Sequence, residues 1–238
     1  MRGVFVTGTG TEVGKTVVAA AIARTHAAAG SRVHVFKPVL SGLEEAGVPD
    51  HELLRRGAGS AQSDEEIAPH RFRAPVSPHL AARMAGDKVD PKALLAAARA
   101  AAEGADALVC EGVGGYLVPL TDDYLVRDLA RELALPIVIA ASPGLGTINH
   151  TLLTLEAVRA DELHPAAVVL TPWPDSPSAI EESNRQTIAR LGSVEVLALP
   201  PLDLAGPRRW PALEIPCRTR GRSPERTAPL PSGRPARG

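Results

Sequence analysis

Residues 8–16 read GTGTEVGKT, which sets glycines, a lysine and a threonine at spacings suited to holding a phosphate chain. Gly8 and Gly14 let backbone N–H groups turn toward an anion across Thr11, Glu12 and Val13. A helix opening at Lys15 and running on through Val17 adds partial positive charge. In such a cradle Lys15 reaches the β- and γ-phosphates, and the Thr16 hydroxyl ligates magnesium. The spacing is irregular. The common form G-x-x-x-x-G-K-[ST] needs glycine at position 9, where Thr9 stands, so the loop is one residue longer or differently folded. A dinucleotide fingerprint would need glycine in place of Val13, which argues against a nicotinamide or flavin cofactor.

Other reactive side chains follow short apolar runs. Lys37 opens KPVLSG, where an ammonium would serve a γ-phosphate or an acidic substrate and Ser41 offers a hydroxyl. The alternative is a surface lysine with a buried stem. The chain has only four lysines, Lys15, Lys37, Lys88 and Lys92, against 22 arginines, so a lysine at a strand end reads as a chemical requirement. Glu111 opens EGVGG, in the position where phosphate-binding enzymes hold magnesium, and Gly114 and Gly115 would admit a ligand close to backbone. Asp50 starts a helical segment and is either its N-cap or a second metal ligand. LGTINH, residues 145–150, is a second glycine-rich helix start suited to a carboxylate, or a loop capped by Asn149. The histidines, including His79 and His150, show no metal-binding pair at helical spacing.

The elements that must position these groups are legible as alternating patterns. Short apolar runs predict strands at 3–7, 32–36, 105–110, 136–141, 166–170 and 194–199. Amphipathic segments predict helices at 15–29, 50–57, 78–85, 91–103, 126–134, 149–159 and 179–191. The strand runs are continuously apolar, as in a parallel sheet covered on both faces. The expectation is an α/β, doubly wound, mostly parallel sheet flanked by helices, with ligands beyond the carboxyl ends of the strands.

Composition narrows the function. A net charge of −1 and 3% aromatics give no case for nucleic acid. No apolar run approaches a membrane span, and no signal peptide is visible. Two cysteines, Cys110 and Cys217, imply no disulfide framework and a reducing, cytoplasmic setting. Residues 206–238 hold eight Arg, seven Pro and two Glu, leaving a body of charge −7 and an extension of +6. Residues 1–202 are therefore read as one domain and 203–238 as an extension expected to be disordered.

Taken together, GTGTEVGKT, KPVLSG, Asp50, the SPH of residues 77–79, EGVGG and LGTINH resemble the dethiobiotin synthetase family of biotin biosynthesis. The blocks follow the family's order across residues 1–200. The resemblance implies a fold of the P-loop NTPase type and an ATP-dependent ring closure. One amine of 7,8-diaminopelargonate takes up carbon dioxide as a carbamate. The carbamate attacks the γ-phosphate to give a carbamic-phosphoric anhydride, and the second amine closes the ureido ring, releasing phosphate. The resemblance implies catalytic roles for Lys37, Lys15 and Thr11, and magnesium ligation by Thr16, Asp50 and Glu111. The phosphates would lie along Gly8, Glu12, Val13, Gly14, Lys15, Thr16, Val17 and Glu111, and the base beside Thr171, Pro172, Pro200, Pro201 and Leu202. Thr11, Lys37, Ser41, Gly114 and Gly115 would face the carbamate end. Gly146, Thr147 and Asn149 would receive the carboxylate tail from the partner subunit of a homodimer.

The chain also departs from the family pattern. Many members carry Asp at the position of Gly10 and an Asn-Asp pair at Thr171-Pro172, so ATP is the expected nucleotide with other triphosphates left open. The family's final helix gives way to the arginine-proline extension. A partitioning-type ATPase would carry a second lysine within residues 8–13, where this chain has none. An amidating ligase of corrin biosynthesis would need a glutamine-hydrolysing domain, for which there is no room after residue 200.

Overall fold

The computed structural model describes residues 2–43 and 47–215, so Cys217 and most of the basic extension lie outside the described residues. In chain order the elements are β1 (Gly3–Gly8), α1 (Lys15–Ala28), β2 (Val33–Phe36), β3 (Val39–Leu40), α2 (Asp50–Ala58), α3 (Asp64–Ile67), β4 (His70–Arg71), α4 (Pro78–Met84), α5 (Pro91–Ala101), β5 (Ala107–Glu111), α6 (Val126–Leu133), β6 (Ile137–Ala141), α7 (Thr147–Ala160), β7 (Pro165–Leu170), α8 (Ala179–Gly192) and β8 (Val196–Ala198). Six strands form one parallel sheet in the order β2-β5-β1-β6-β7-β8. The order reverses about β1, and at such a reversal the chain leaves a crevice at the strands' carboxyl ends.

Alternate residues of each strand point to opposite faces, so each face gathers its own core. Phe5, Phe36, Leu108, Cys110, Ile137 and Ile139 pack against α4 to α8. Val4, Val6, Val35, Val109, Val138 and Val169 pack against α1 and α2. The paucity of aromatics is met by close approach. Residues 19–21 and 23 of α1 are fully buried alanines, and a Cβ at Gly57 of α2 would stand 2.6 Å from the Ala20 carbonyl oxygen. Local signals agree with these boundaries: Ser63 and Glu66 form a capping box on α3, Ser178 and Glu181 one on α8, and Asp90 caps α5 ahead of Pro91. No helix among the described residues is long and apolar enough to cross a membrane.

The domain does not end at 202. Trp210, Leu213 and Ile215 are buried in the core beside α1, although they fall within the segment expected to be disordered. The Trp210 indole donates to the Asp203 carbonyl at 2.7 Å, and the Leu213 amide donates to Thr25 Oγ1 of α1 at 2.8 Å. Three apolar residues outweigh the surrounding arginine and proline by joining the core cluster that α1 shares with the sheet. Trp210→Ala should therefore cost about 3 kcal/mol, lowering the thermal midpoint by about 9 °C. A melting scan with an unchanged midpoint would show that the strap contributes nothing.

Candidate active site

A cavity of about 580 Å³ opens beyond the carboxyl ends of β1, β2 and β5. Among the residues predicted for a site, Thr11, Glu12, Gly14, Lys15, Thr16, Val17, Lys37, Ser41, Asp50, Glu111 and Gly114 line it. A second depression, around Arg2, Arg99 and Asp106, lies at the amino ends of the strands and holds none of them.

The phosphate loop leaves β1 at Gly8, and the Thr9 amide is held by the Ala140 carbonyl of β6 at 3.0 Å. Among the described residues, no group accepts from the backbone N–H of Gly10, Thr11, Glu12, Val13 or Gly14, so the loop presents unpaired donors. Helix α1 starts at Lys15 with Gly14 as its N-cap at φ 83°. Lys15 folds back over the loop, its Nζ donating to the Gly10 carbonyl at 2.7 Å. That contact gives residue 10 a role through its backbone, which any side chain there would leave intact. Burial pushes the Lys15 ammonium below the usual lysine range, opposed by Glu111.

Lys37 stands between two carboxylates. Its Nζ lies 2.5 Å from Asp50 Oδ2 and 2.7 Å from Glu111 Oε1, and the same Glu111 oxygen accepts from Thr16 Oγ1 at 2.9 Å. Burial alone would lower the Lys37 pKa, but Glu111 and Asp50 outweigh it and hold the side chain charged. Burial would likewise raise the Asp50 pKa, yet Lys37 outweighs it and keeps the carboxyl below its ordinary value. Glu111 is wholly buried at the end of β5, and that burial pushes its pKa up despite Lys37. Its other oxygen, Oε2, has no hydrogen-bond partner among the described residues. Asp50 is the first residue of α2 with Pro49 as the cap, so its carboxylate is left for Lys37.

The segment 37–43 is pinned along its length. The Lys37 amide donates to the Ile67 carbonyl at 2.7 Å, β3 pairs with β4 in parallel, and the Phe72 amide donates to Leu40 at 2.7 Å. The Gly42 and Leu43 amides bond the carbonyls of Ala74 and Phe72. This ladder fixes Lys37 and Ser41 on one wall and brings in Pro75, Val76, Ser77 and Pro78 as the facing one. Two-residue strands leave no periodic signal, so the sequence reading treats them as loop; only the SPH motif marks the facing wall. Val48, Leu53, Val113, Val118 and Leu204 also line the cavity unannounced, Leu204 because it lies within the presumed extension.

Other predicted residues stand beside the cavity or away from it. A Cβ at Gly14 would meet Thr171 Cγ2 at 2.5 Å, so the end of β7 packs directly on the phosphate loop. Gly14→Ala therefore combines a left-handed backbone with a collision. It should cost at least about 1–2 kcal/mol from the backbone alone and abolish nucleotide binding measured by calorimetry. Thr171→Ser removes the colliding methyl and should restore only part of the loss; full restoration would mean that the backbone is unstrained. Gly8 packs on Val13 and Lys15, and Gly115 faces the backbone of Gly8 and Gly10. Pro172, Pro200, Pro201 and Leu202 are outside the cavity lining, as are Gly146, Thr147 and Asn149. Helix α7 begins at Thr147 with Gly146 as its cap, so Asn149 sits in the first turn, not at the cap.

A family model described as "AAA domain" matches residues 2–209. The chain is 46% identical over 215 residues to the ATP-dependent dethiobiotin synthetase BioD of Anaeromyxobacter dehalogenans, covering 90% of this chain and 96% of the relative. It is 39% identical to the enzyme of the same name from Bacillus subtilis (strain 168), covering 84% and 87%. The chain belongs to the dethiobiotin synthetase family. Among solved structures it is similar to a ParA family ATPase from Chlorobium tepidum, with a TM-score of 0.53, 13% identity and coverage of 87% and 89%. The cell division ATPase MinD of Pyrococcus furiosus gives 0.51, 15% and 84% of each chain. Those likenesses show the fold alone.

Proposed function

We propose that this chain is an ATP-dependent dethiobiotin synthetase that carboxylates 7,8-diaminopelargonate and closes the ureido ring. The observation that carries the reading is Lys37, a buried ammonium beside the phosphate loop that pairs with the carboxylates of Asp50 and Glu111. A carbamate attacking a triphosphate brings anions together, and attack is possible only where fixed cations stand between them. Lys15 serves the β- and γ-phosphates from one side, and Lys37 serves the carbamate and the γ-phosphate from the other. The unpaired N–H groups of residues 10–14 hold the phosphate chain. Thr11 and Ser41 hydroxyls orient the carbamate, and the backbone at Gly114 and Gly115 limits where the second amine can approach.

The residues also fit magnesium. A fully buried carboxylate with one orphaned oxygen, a second carboxylate and a threonine hydroxyl form a hard, all-oxygen donor set, and magnesium completes such a set with water and substrate phosphates. Thr16, Asp50 and Glu111 would hold the ion, which would supply charge against the γ-phosphate. The lysine between the two carboxylates keeps their charge balanced until then.

In the balanced reaction one carbamate oxygen bonds to the γ-phosphorus, ADP leaves, and the second amine attacks the carbamate carbon. That carbon–oxygen bond breaks, and the oxygen departs with phosphate. The remote helix start at 146–149 belongs in this account as the carboxylate receptor of a neighbouring protomer, so the working form would be a cytoplasmic homodimer. Purified protein incubated with diaminopelargonate, bicarbonate, magnesium and ATP should give dethiobiotin by mass. CTP and GTP arms report on the base, for which Thr171 and Pro172 offer no amide side chain. No product with any triphosphate would sink the reading.

A further inference from the structure

Tyr116 follows directly on Gly114 and Gly115, yet its side chain is buried in the core, away from the cavity. Its hydroxyl donates to Asp161 Oδ2 at 2.8 Å, and Asp161 caps the far end of α7. The other carboxylate oxygen accepts from Arg127 of α6, and Arg131 Nε lies 3.9 Å from it. The Asp161 side chain is only 3% exposed, so the glycine turn, α6 and α7 all meet on one buried carboxylate. A buried carboxylate holds its place only when its lone pairs are filled, and hydrogen bonds to it are stronger than neutral ones.

Gly114 lines the cavity at φ 60° and, like Gly112 and Gly115, has no side chain with which to anchor itself. Tyr116 is the first side chain beyond the glycines with a buried polar partner. We propose that the Tyr116–Asp161 hydrogen bond is a positioning device that fixes the turn 112–115 at the height where its backbone meets the diamine substrate. Tyr116 and Asp161 touch no reacting atom, so they act through the glycines. The inference rests on the function proposed above for the cavity.

Two measurements on the full chain separate the two. Tyr116→Phe keeps the ring and removes only the hydroxyl. Amide hydrogen exchange across residues 112–118 should quicken about tenfold in this variant, and this readout needs no substrate. In steady-state assays KM for diaminopelargonate should rise about tenfold while KM for ATP stays within about twofold. Asp161→Ala removes both acceptor oxygens and so also frees Arg127; it should show at least the same split, and adding Tyr116→Phe to it should raise KM for diaminopelargonate no further, because the hydroxyl then has no partner left to lose. Unchanged exchange, an equal rise in both KM values, or a lowered melting temperature with unchanged KM would each overturn the positioning role. Failure of the wild-type chain to make dethiobiotin alongside quickened exchange would overturn the assignment of the substrate and leave the anchor standing.

Discussion

Lys37→Ala is expected to lower kcat by about a thousandfold and, in the ligand-free protein, to cost about 3 kcal/mol of stability. Both effects come from one atom. The Lys37 ammonium is the charge that would meet the carbamate and the γ-phosphate, and it is also the counter-charge of a wholly buried Glu111. With the lysine gone, Glu111 keeps Thr16 as its one hydrogen-bond donor, and burial, which already raises its pKa, acts unopposed by Lys37. The sign of the pH dependence follows. A carboxyl whose folded pKa lies above its unfolded value of about 4.3 stabilises the fold fully below that value, and this contribution is lost as pH rises through the folded pKa. The variant should therefore melt higher near pH 5 than near pH 8. Adding Glu111→Gln should remove that slope and recover stability without recovering turnover. Melting scans at the two pH values, paired with single-turnover kinetics, read all of this. A variant that turns over normally removes Lys37 from the reaction.

Glu111→Gln alone should reduce kcat by about a hundredfold while costing only about 1 kcal/mol. The amide keeps the shape of the side chain, and Lys37 retains Asp50 at 2.5 Å. The loss falls on the anionic donor set at Glu111 Oε1 and the orphaned Oε2. Nucleotide titrations with and without magnesium separate this from a general disturbance. In the wild type, magnesium should tighten nucleotide binding; in the variant the two curves should converge. Undiminished magnesium dependence would place the metal elsewhere.

Much of this was legible in the chain. Strands buried on both faces read as continuous apolar runs, which is why β1, β2, β5, β6 and β7 fall within two residues of the predicted spans at each end. The loop 8–16, Lys37, Asp50 and Glu111 were recognisable because strand ends are where a parallel sheet exposes ligands. Other features depend on partners far away in sequence. The β3–β4 ladder joins residues 31 apart through two-residue strands, too short for any periodicity. The strap to Ile215 was hidden by its arginines and prolines, although Trp210, Leu213 and Ile215 were the signal. Asp161 reads as an ordinary helix-end acid until the fold brings Tyr116 to it. Gly10 could not be understood from side-chain chemistry because its contribution is a carbonyl under Lys15.

The central claim is that a carbamate attacks the γ-phosphate between Lys15 and Lys37. Carbon dioxide labelled with ¹⁸O, supplied with diaminopelargonate, magnesium and ATP, tests it directly. Attack through a carbamate oxygen must transfer one label to the released phosphate for each dethiobiotin formed, leaving the other in the ureido carbonyl. Labelled phosphate in step with product is the predicted result. Product with wholly unlabelled phosphate, under conditions where the label is retained in dethiobiotin, would contradict the account.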